Sequence, residues 1–279
     1  MKTVKLNNGV EMPAIGYGVY QISLAESERC VTDALSVGYR MIDTAQAYGN
    51  ESGVGCALRN SGIARNEVFL VSKVWISNYG YDNARRSIDE SLERLKTDYI
   101  DLMLLHQPFC DRYGAYRALQ DAYREGLVRA IGVSNFYPDH YIDLACNMEI
   151  TPAVNQVETH VFDQQRQAQA IMKEYGTQIM AWAPLAEGRN NFFTNDTLTD
   201  IAGNHGKSVA QVTLRWLLQR DVVIIPKTVH IERMKENIDI FDFELTDEEM
   251  SQIATLDLKR SQFFDHHDAD TVKMFMGWK

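Results

Sequence analysis

Four residues of proton-moving types stand at or just beyond the ends of short apolar runs: Asp43 after Met41-Ile42, Tyr48 in the segment that follows, Lys73 closing Val68–Lys73, and His106 closing Ile100–His106. Singly, each has a plain explanation. Asp43 can cap a helix, Tyr48 can pack, Lys73 can be a solvated charge, and His106 before Pro108 can close a turn. Together they make an acid. A tyrosine hydroxyl titrates at about 10, too high for ready donation near neutrality. A neighbouring ammonium stabilises the phenolate and lowers that value, and a carboxylate can hold the ammonium in place. Asp43, Lys73 and Tyr48 supply those groups, while His106 can hydrogen-bond a carbonyl oxygen and turn it toward the tyrosine. The set suits protonation of an oxygen that is receiving negative charge, as in carbonyl reduction. It offers no nucleophile–base pair for acyl transfer. Lys73 as a Schiff-base lysine is a further chemistry, one that leaves Asp43 and Tyr48 without an obvious purpose.

Such residues act together only if strand ends gather them. The runs Met41–Asp43, Val68–Lys73, Ile100–His106, Val128–Val133, Ala153–Val157, Gln178–Ala183 and Val222–Pro226 are too short for helices. Several lack polar alternation, as expected of parallel strands covered on both faces. Thr3–Leu6, Asn7-Asn8-Gly9 and Val10–Met12 read as a β-hairpin, and Ala14–Gly18 as a first strand. Helical patterns fill the intervals. Asp82 is placed to cap a helix carrying Ile88, Leu92 and Leu95 on one face, and Ala168, Ile171, Met172 and Tyr175 share another face before Gly176. Pro138 suits a first helical turn. Ser208 with Gln211 and Thr246 with Glu249 form capping boxes, and Gly38 and Gly126 end helices just before strands.

The strand ends near Asp43, Lys73, His106 and Asn135 are separated by 30, 33 and 29 residues, the length of one strand–helix–return unit. Eight such units predict a (β/α)8 TIM barrel with the N-terminal hairpin across its bottom and extra helices and loops near the C-terminus. An open doubly wound sheet also alternates, but Gly16-Tyr17-Gly18 lacks the third glycine of the dinucleotide fingerprint. Length alone allows two domains, yet no Ser/Gly/Pro-rich linker divides the chain. Residues 1–279 are therefore expected to form one domain.

Composition narrows the partners. Lys and Arg number 28 against 38 Asp and Glu, a formal net charge of -10. That balance disfavours a nucleic-acid partner. No apolar stretch of signal-peptide or membrane-spanning length occurs. Cys30, Cys56, Cys110 and Cys146 are widely spaced without CxxC, which suits reduced thiols in a cytoplasmic protein. His266 and His267 lack HxH or HExxH spacing, so a solvated pair is expected and no metal.

The run Gly38-Tyr39-Arg40-Met41-Ile42-Asp43-Thr44-Ala45-Gln46-Ala47-Tyr48-Gly49-Asn50-Glu51 strongly resembles a signature of the aldo-keto reductases, as do Gly132-Val133-Ser134-Asn135-Phe136 and Ile225-Pro226-Lys227-Thr228. The likeness runs from the hairpin to beyond Phe264, with the motifs in family order. It is greatest toward the bacterial 2,5-diketo-D-gluconate reductase-like branch. The resemblance implies a barrel that reduces aldehydes or ketones with NADPH, with a small-molecule carbonyl as partner, and a monomer. It also implies Tyr48 as proton donor, Asp43 and Lys73 as its tuning pair, and His106 as carbonyl orienter. A cofactor-binding barrel with little turnover is the alternative.

The remaining strand ends read as a nicotinamide site. Ser134, Asn135 and Gln156 offer hydroxyl and amide groups that can fix a carboxamide, and Trp182 offers a flat face for the ring. By family position, Pro184 and Leu185 through Arg189 match the loop over the pyrophosphate, where Gly188 permits close backbone approach. A short helix after the last strand would aim N–H groups at a phosphate. There Lys227, Thr228 and Arg233 match a 2′-phosphate pocket, beside Val229, and Glu236 and Asn237 match positions near adenine. For the substrate, family position suggests Tyr20, Trp75, His106, Phe109 and loop residues such as Phe192 or Phe193. Gln107 stands where tryptophan is common, which implies a roomier or more polar pocket, and the short segment after His106 implies an open mouth. Phe263, Phe264, His266 and His267 lie in a tail that can fold over the pocket.

Overall fold

The computed structural model describes residues 2–278. An antiparallel hairpin, β1 (Thr3–Lys5) and β2 (Glu11–Pro13), comes first. Eight parallel strands follow: β3 (Tyr17–Gly18), β4 (Met41–Asp43), β5 (Phe69–Val74), β6 (Leu102–Leu105), β7 (Ile131–Ser134), β8 (Val154–Glu158), β9 (Gln178–Trp182) and β10 (Val223–Ile224), neighbours in chain order. The sheet closes on itself. Ile15 bridges Ile224, Gly16 N–H donates to the Ile224 carbonyl at 2.8 Å, and Gly18 N–H donates to the Pro226 carbonyl at 3.2 Å. The result is the (β/α)8 barrel that the spacing predicts.

Around it lie α1 (Leu24–Val37), α2 (Glu51–Asn60), α3 (Tyr81–Leu95), α4 (Arg112–Arg124), α5 (Pro138–Asn147), α6 (Arg166–Glu174), α7 (Asp196–His205), α8 (Val209–Gln219), α9 (Ile231–Ile238), α10 (Asp247–Ala254) and α11 (Ala269–Met276). Both capping boxes form: Ser208 Oγ accepts from Gln211 N–H, and Thr246 Oγ1 from Glu249 N–H. Pro138 occupies the first turn of α5. Asp82 does not cap α3. Gly80, at φ 91°, takes that position, and Asp82 lies in the first turn, where a carboxylate still favours the helix dipole.

The period-2 alternation of the strands separates two apolar clusters and sets the site. Met41, Phe69, Val71, Leu102, Leu104, Val154 and Met180 point into the barrel, where Leu6 and Met12 of the hairpin region join them. Ile42, Leu70, Val74, Met103 and Leu105 point outward against the helices. Continuing the inward set by one step along each strand reaches Asp43 after Met41, Lys73 after Val71, and His106 after Leu104. The barrel register thus delivers three polar residues to one end of its interior. Gly132 keeps the wall thin there, since a Cβ on it would lie 2.3 Å from the Val154 carbonyl oxygen.

Candidate active site

Asp43, Lys73 and Tyr48 are joined directly. Lys73 Nζ donates to Asp43 Oδ1 at 2.6 Å, to the Thr44 carbonyl at 2.9 Å and to Tyr48 Oη at 3.4 Å. All three ammonium protons are used, and the side chain is fully buried. A lysine so engaged is a poor nucleophile, which removes the support for Schiff-base chemistry. Asp43 Oδ2 accepts from Gln156 Nε2 at 2.8 Å, so the carboxylate is held on both oxygens.

The electrostatics differ from the sequence-based expectation. Burial pushes the Tyr48 phenol well above its ordinary value, and the Asp43 carboxylate and Tyr20 act in the same direction. Burial also draws the Lys73 ammonium down, opposed by Asp43. The lysine's charge is spent on the aspartate, so the phenol stays protonated rather than becoming a stronger acid. His106 is held neutral. Burial takes its imidazole well below the usual value, and Lys73 adds to the effect. Its Nδ1 is buried without a hydrogen-bond partner among the described residues.

The Tyr48 turn is braced from both sides. Gln46 Nε2 donates to the Ser87 carbonyl and Ser91 Oγ, while its Oε1 accepts from Trp75 N–H and Asn78 Nδ2 at 2.9 Å each. Thr44 Oγ1 donates to Asn50, whose amide donates in turn to the Val19 and Ile22 carbonyls. Gly49, at φ 66°, ends the turn. Glu51 lies beneath, buried, accepting from Ser72 Oγ at 2.6 Å and Arg94 Nε at 2.7 Å.

Tyr48 and His106 open on a cavity of about 990 Å³ that also exposes Asp43, Tyr20, Trp75 and Gln107. Ser134, Asn135, Gln156, Trp182, Pro184, Leu185 and Lys227 line it as well. These polar groups are wired together. Ser134 Oγ donates to the Gln156 carbonyl at 2.8 Å, Asn135 Nδ2 donates to the His106 carbonyl at 3.0 Å, and Trp182 Nε1 donates to Asn135 Oδ1 at 2.8 Å. Asn135 Nδ2 and Gln156 Nε2 are therefore committed within the protein, which leaves the Gln156 Oε1 acceptor.

Gly188, Thr228, Val229, Arg233, Glu236 and Asn237 lie outside that lining. Thr228 is buried, and its Oγ1 accepts from His230 N–H at 3.2 Å just before α9. Glu236 accepts from Ser208 Oγ, and Asn237 is buried. Lys227 and Arg233 are exposed. Asp239, Asp242 and Glu232 pair with Lys207 and Lys235, so Lys227 and Arg233 have no carboxylate partner among the described residues.

The substrate end departs from expectation in three ways. Phe109 does not reach the cavity: the chain turns through Cys110 at φ 59° into α4, and Phe109 packs behind the wall against His266 and Phe275. Phe192 is buried against Phe162 and Phe193, and Phe193 faces solvent, so neither is a wall. The mouth beside the short 107–111 segment is not left open, because the tail fills it. Phe263, Phe264, Phe275 and Trp278 line the cavity, and Trp75 Nε1 donates to the Trp278 carbonyl at 3.1 Å.

His266 is not solvated. It is buried, burial pushes its imidazole down to about 4, and its Nε2 meets Gln107 Oε1 at 2.8 Å. His267 alone is exposed. Sequence reading missed the group that anchors this tail. Glu158, at the inward end of β8, accepts from Ser261 Oγ at 2.5 Å and Gln262 N–H at 2.7 Å, with His160 at 2.9 Å. Continuing the inward alternation from Val154 and Gln156 would have pointed to it. Arg189 joins the loop after β9 to the tail by donating to the Gln262 carbonyl at 2.6 Å.

The sequence model of the aldo/keto reductase family matches residues 8–258. The glyoxal reductase of Bacillus subtilis is 48% identical over 256 residues, covering 91% of this chain and 92% of its own. The morphine 6-dehydrogenase of Pseudomonas putida is 43% identical, covering 96% and 95%. Among solved structures, a Bombyx mori aldo-keto reductase in complex with NADP superposes with a TM-score of 0.89 at 32% identity, covering 98% of this chain and 96% of that one. Among the described residues no helix is long and apolar enough to cross a membrane.

Proposed function

The chain belongs to the aldo/keto reductase family, and from that premise we propose that it reduces small aldehydes, α-dicarbonyls or keto-sugars to alcohols with NADPH, Tyr48 giving the proton. One observation carries this reading. Tyr48 Oη accepts from Lys73, no protein group among the described residues accepts its own proton, and its ring faces the cavity. A protonated phenol is thus aimed at the space where a carbonyl would sit.

The residues present fit the cofactor. The cavity, at about 990 Å³, is far larger than a two- or three-carbon carbonyl requires. The unpaired Lys227 and Arg233, with the start of α9, can hold phosphate groups, and the half-buried Trp182 indole offers a ring face. When bound, NADPH supplies the hydride. The chain's own residues do the rest. Neutral His106 hydrogen-bonds the carbonyl oxygen and orients it. Tyr48 protonates that oxygen as it becomes an alkoxide, a base strong enough to take a proton even from a phenol of raised pKa. Lys73 then stabilises the phenolate, and Asp43, fixed by Gln156, keeps Lys73 in place. Regeneration of the phenol takes one proton from solvent, which balances the reduction.

The glyoxal reductase relative favours small dicarbonyls, and the morphine 6-dehydrogenase relative shows that a similar chain serves a bulky substrate. The four cysteines are unpaired, in keeping with a reducing cytoplasm, and a monomer completes the reading. A panel of aldehydes, α-dicarbonyls and keto-sugars assayed by NADPH oxidation tests it. Turnover of several neutral members supports a reductase. Tight NADPH binding with no turnover on any of them would make the chain a binding module instead.

A further inference from the structure

On the outer side of the tail, away from Tyr48, three side chains converge that the reaction does not use. Asp139 and His140 lie in the first turn of α5, and His267 comes from the tail. His267 Nε2 lies 3.1 Å from Asp139 Oδ1, His140 Nδ1 lies 3.3 Å from Asp139 Oδ2, and with one donor atom taken from each residue all three lie within 4.8 Å of one another. We infer that Asp139, His140 and His267 form a binding site for one borderline divalent metal ion, such as Zn²⁺ or Ni²⁺, which clasps the C-terminal tail to the start of α5.

The geometry is close to what an ion needs. Two ligands at roughly 2.0–2.1 Å from a tetrahedral zinc are themselves about 3.4 Å apart, near the separation of each histidine from its own oxygen of Asp139. With all three donors within 4.8 Å of one another, the widest pair has to close by no more than about 1.4 Å. Two imidazoles with one carboxylate select zinc, nickel or cobalt over magnesium or calcium, which favour all-oxygen sets. The ligands are also prepared. His140 Nδ1 is buried and makes no hydrogen bond among the described residues, although it faces Asp139. Tyr137 sets its edge against the His267 ring at 4.8 Å, and His267 N–H donates to Asp265 Oδ1 at 2.9 Å, so backbone and ring are both held. The His140 and His267 rings lie nearly parallel at 6.1 Å. The nearby cation, Arg112, is engaged by Asp143 at 2.8 Å and does not oppose an ion unbalanced.

The consequence falls on the cavity. His266, next to His267, contacts Gln107 on the cavity wall, and Phe264 two residues earlier lines the cavity itself. An ion at this site would hold the segment that carries those groups and restrain its opening.

The test is calorimetric titration of Zn²⁺ into the full chain without a histidine tag, together with amide hydrogen exchange of residues 259–278. The expected result is one ion per chain, binding weakened at least about tenfold by His267→Ala and by His140→Ala, and slower exchange of the tail in the metal-bound wild type alone. Asp139→Asn serves if either histidine variant fails to fold, and metal-free melting temperatures identify that failure. Absence of one-site binding would overturn the proposal. So would binding unchanged by the substitutions, which would place the ion elsewhere on the chain. Binding that leaves tail exchange unaltered would overturn the clasp.

Discussion

At the scale of single residues, the site depends on which proton each group keeps. Tyr48 is a phenol with its pKa raised by burial, and His106 is an imidazole whose pKa is lowered by the same cause. Both shifts preserve the neutral form that the proposed reduction uses. Tyr48, the proposed donor, therefore stays protonated up to and beyond the ordinary phenol value of about 10, and His106, the proposed orienter, stays neutral to well below the ordinary imidazole value of about 6.5. The expected pH profile of kcat/KM has no step near 6.5 from His106. A step there that disappears in His106→Asn would contradict the assignment. That Asp43, Tyr48, Lys73 and His106 converge was legible in the sequence because three of them close predicted barrel strands and, though each has a plain use alone, together they make a coherent acid. The direction of the Tyr48 shift was not legible. It depends on how Lys73 divides its three donors among Asp43, Thr44 and Tyr48, and that division is a product of packing.

At the scale of elements, the barrel strands were readable from apolar runs and the helix starts from Ser208, Thr246 and Pro138, since these signals are local. What the tail does was not readable. Its anchors are long-range: Glu158 holding Ser261 and Gln262, Arg189 reaching Gln262, and Trp75 reaching Trp278. Phe109 was misplaced for the same reason, because the wall it was expected to form is built by Phe275 and Trp278 from the far end of the chain. The anchor region stores negative charge. Asp163, beside Glu158 and Asp257, has its carboxyl pushed up to about 7, mainly by burial. Between pH 4 and 7 the folded chain keeps that proton while the unfolded chain has lost it, so stability declines as pH rises through this window. Asp163→Asn should remove the decline. In urea unfolding, the variant is expected to gain on the wild type by on the order of 2 kcal/mol between pH 5 and pH 7. A constant difference across that range would show that Asp163 titrates normally.

At the scale of the whole molecule, a net charge of -10 argued against a nucleic-acid partner, yet Lys227 just beyond the last strand and Arg233 in α9 are exposed cations without a carboxylate partner among the described residues. Fields from exposed charges fade over about 10 Å at 0.1 M salt, so the local arrangement outweighs the total. Arg233→Ala is expected to raise the Kd for NADPH about tenfold and to leave that for NADH nearly unchanged, with the wild-type preference shrinking as salt increases. Equal losses for both cofactors would remove Arg233 from the 2′-phosphate. The closed barrel holds Lys227, just past β10, and Tyr48, just past β4, on one frame around the cavity. The most direct test of the central claim is Tyr48→Phe, with NADPH binding followed by fluorescence and turnover of a neutral α-dicarbonyl measured on the same preparation. The phenol as proton donor requires turnover to fall by about 10²–10⁴-fold while NADPH affinity changes less than about twofold. Turnover near the wild-type rate in that variant would contradict it.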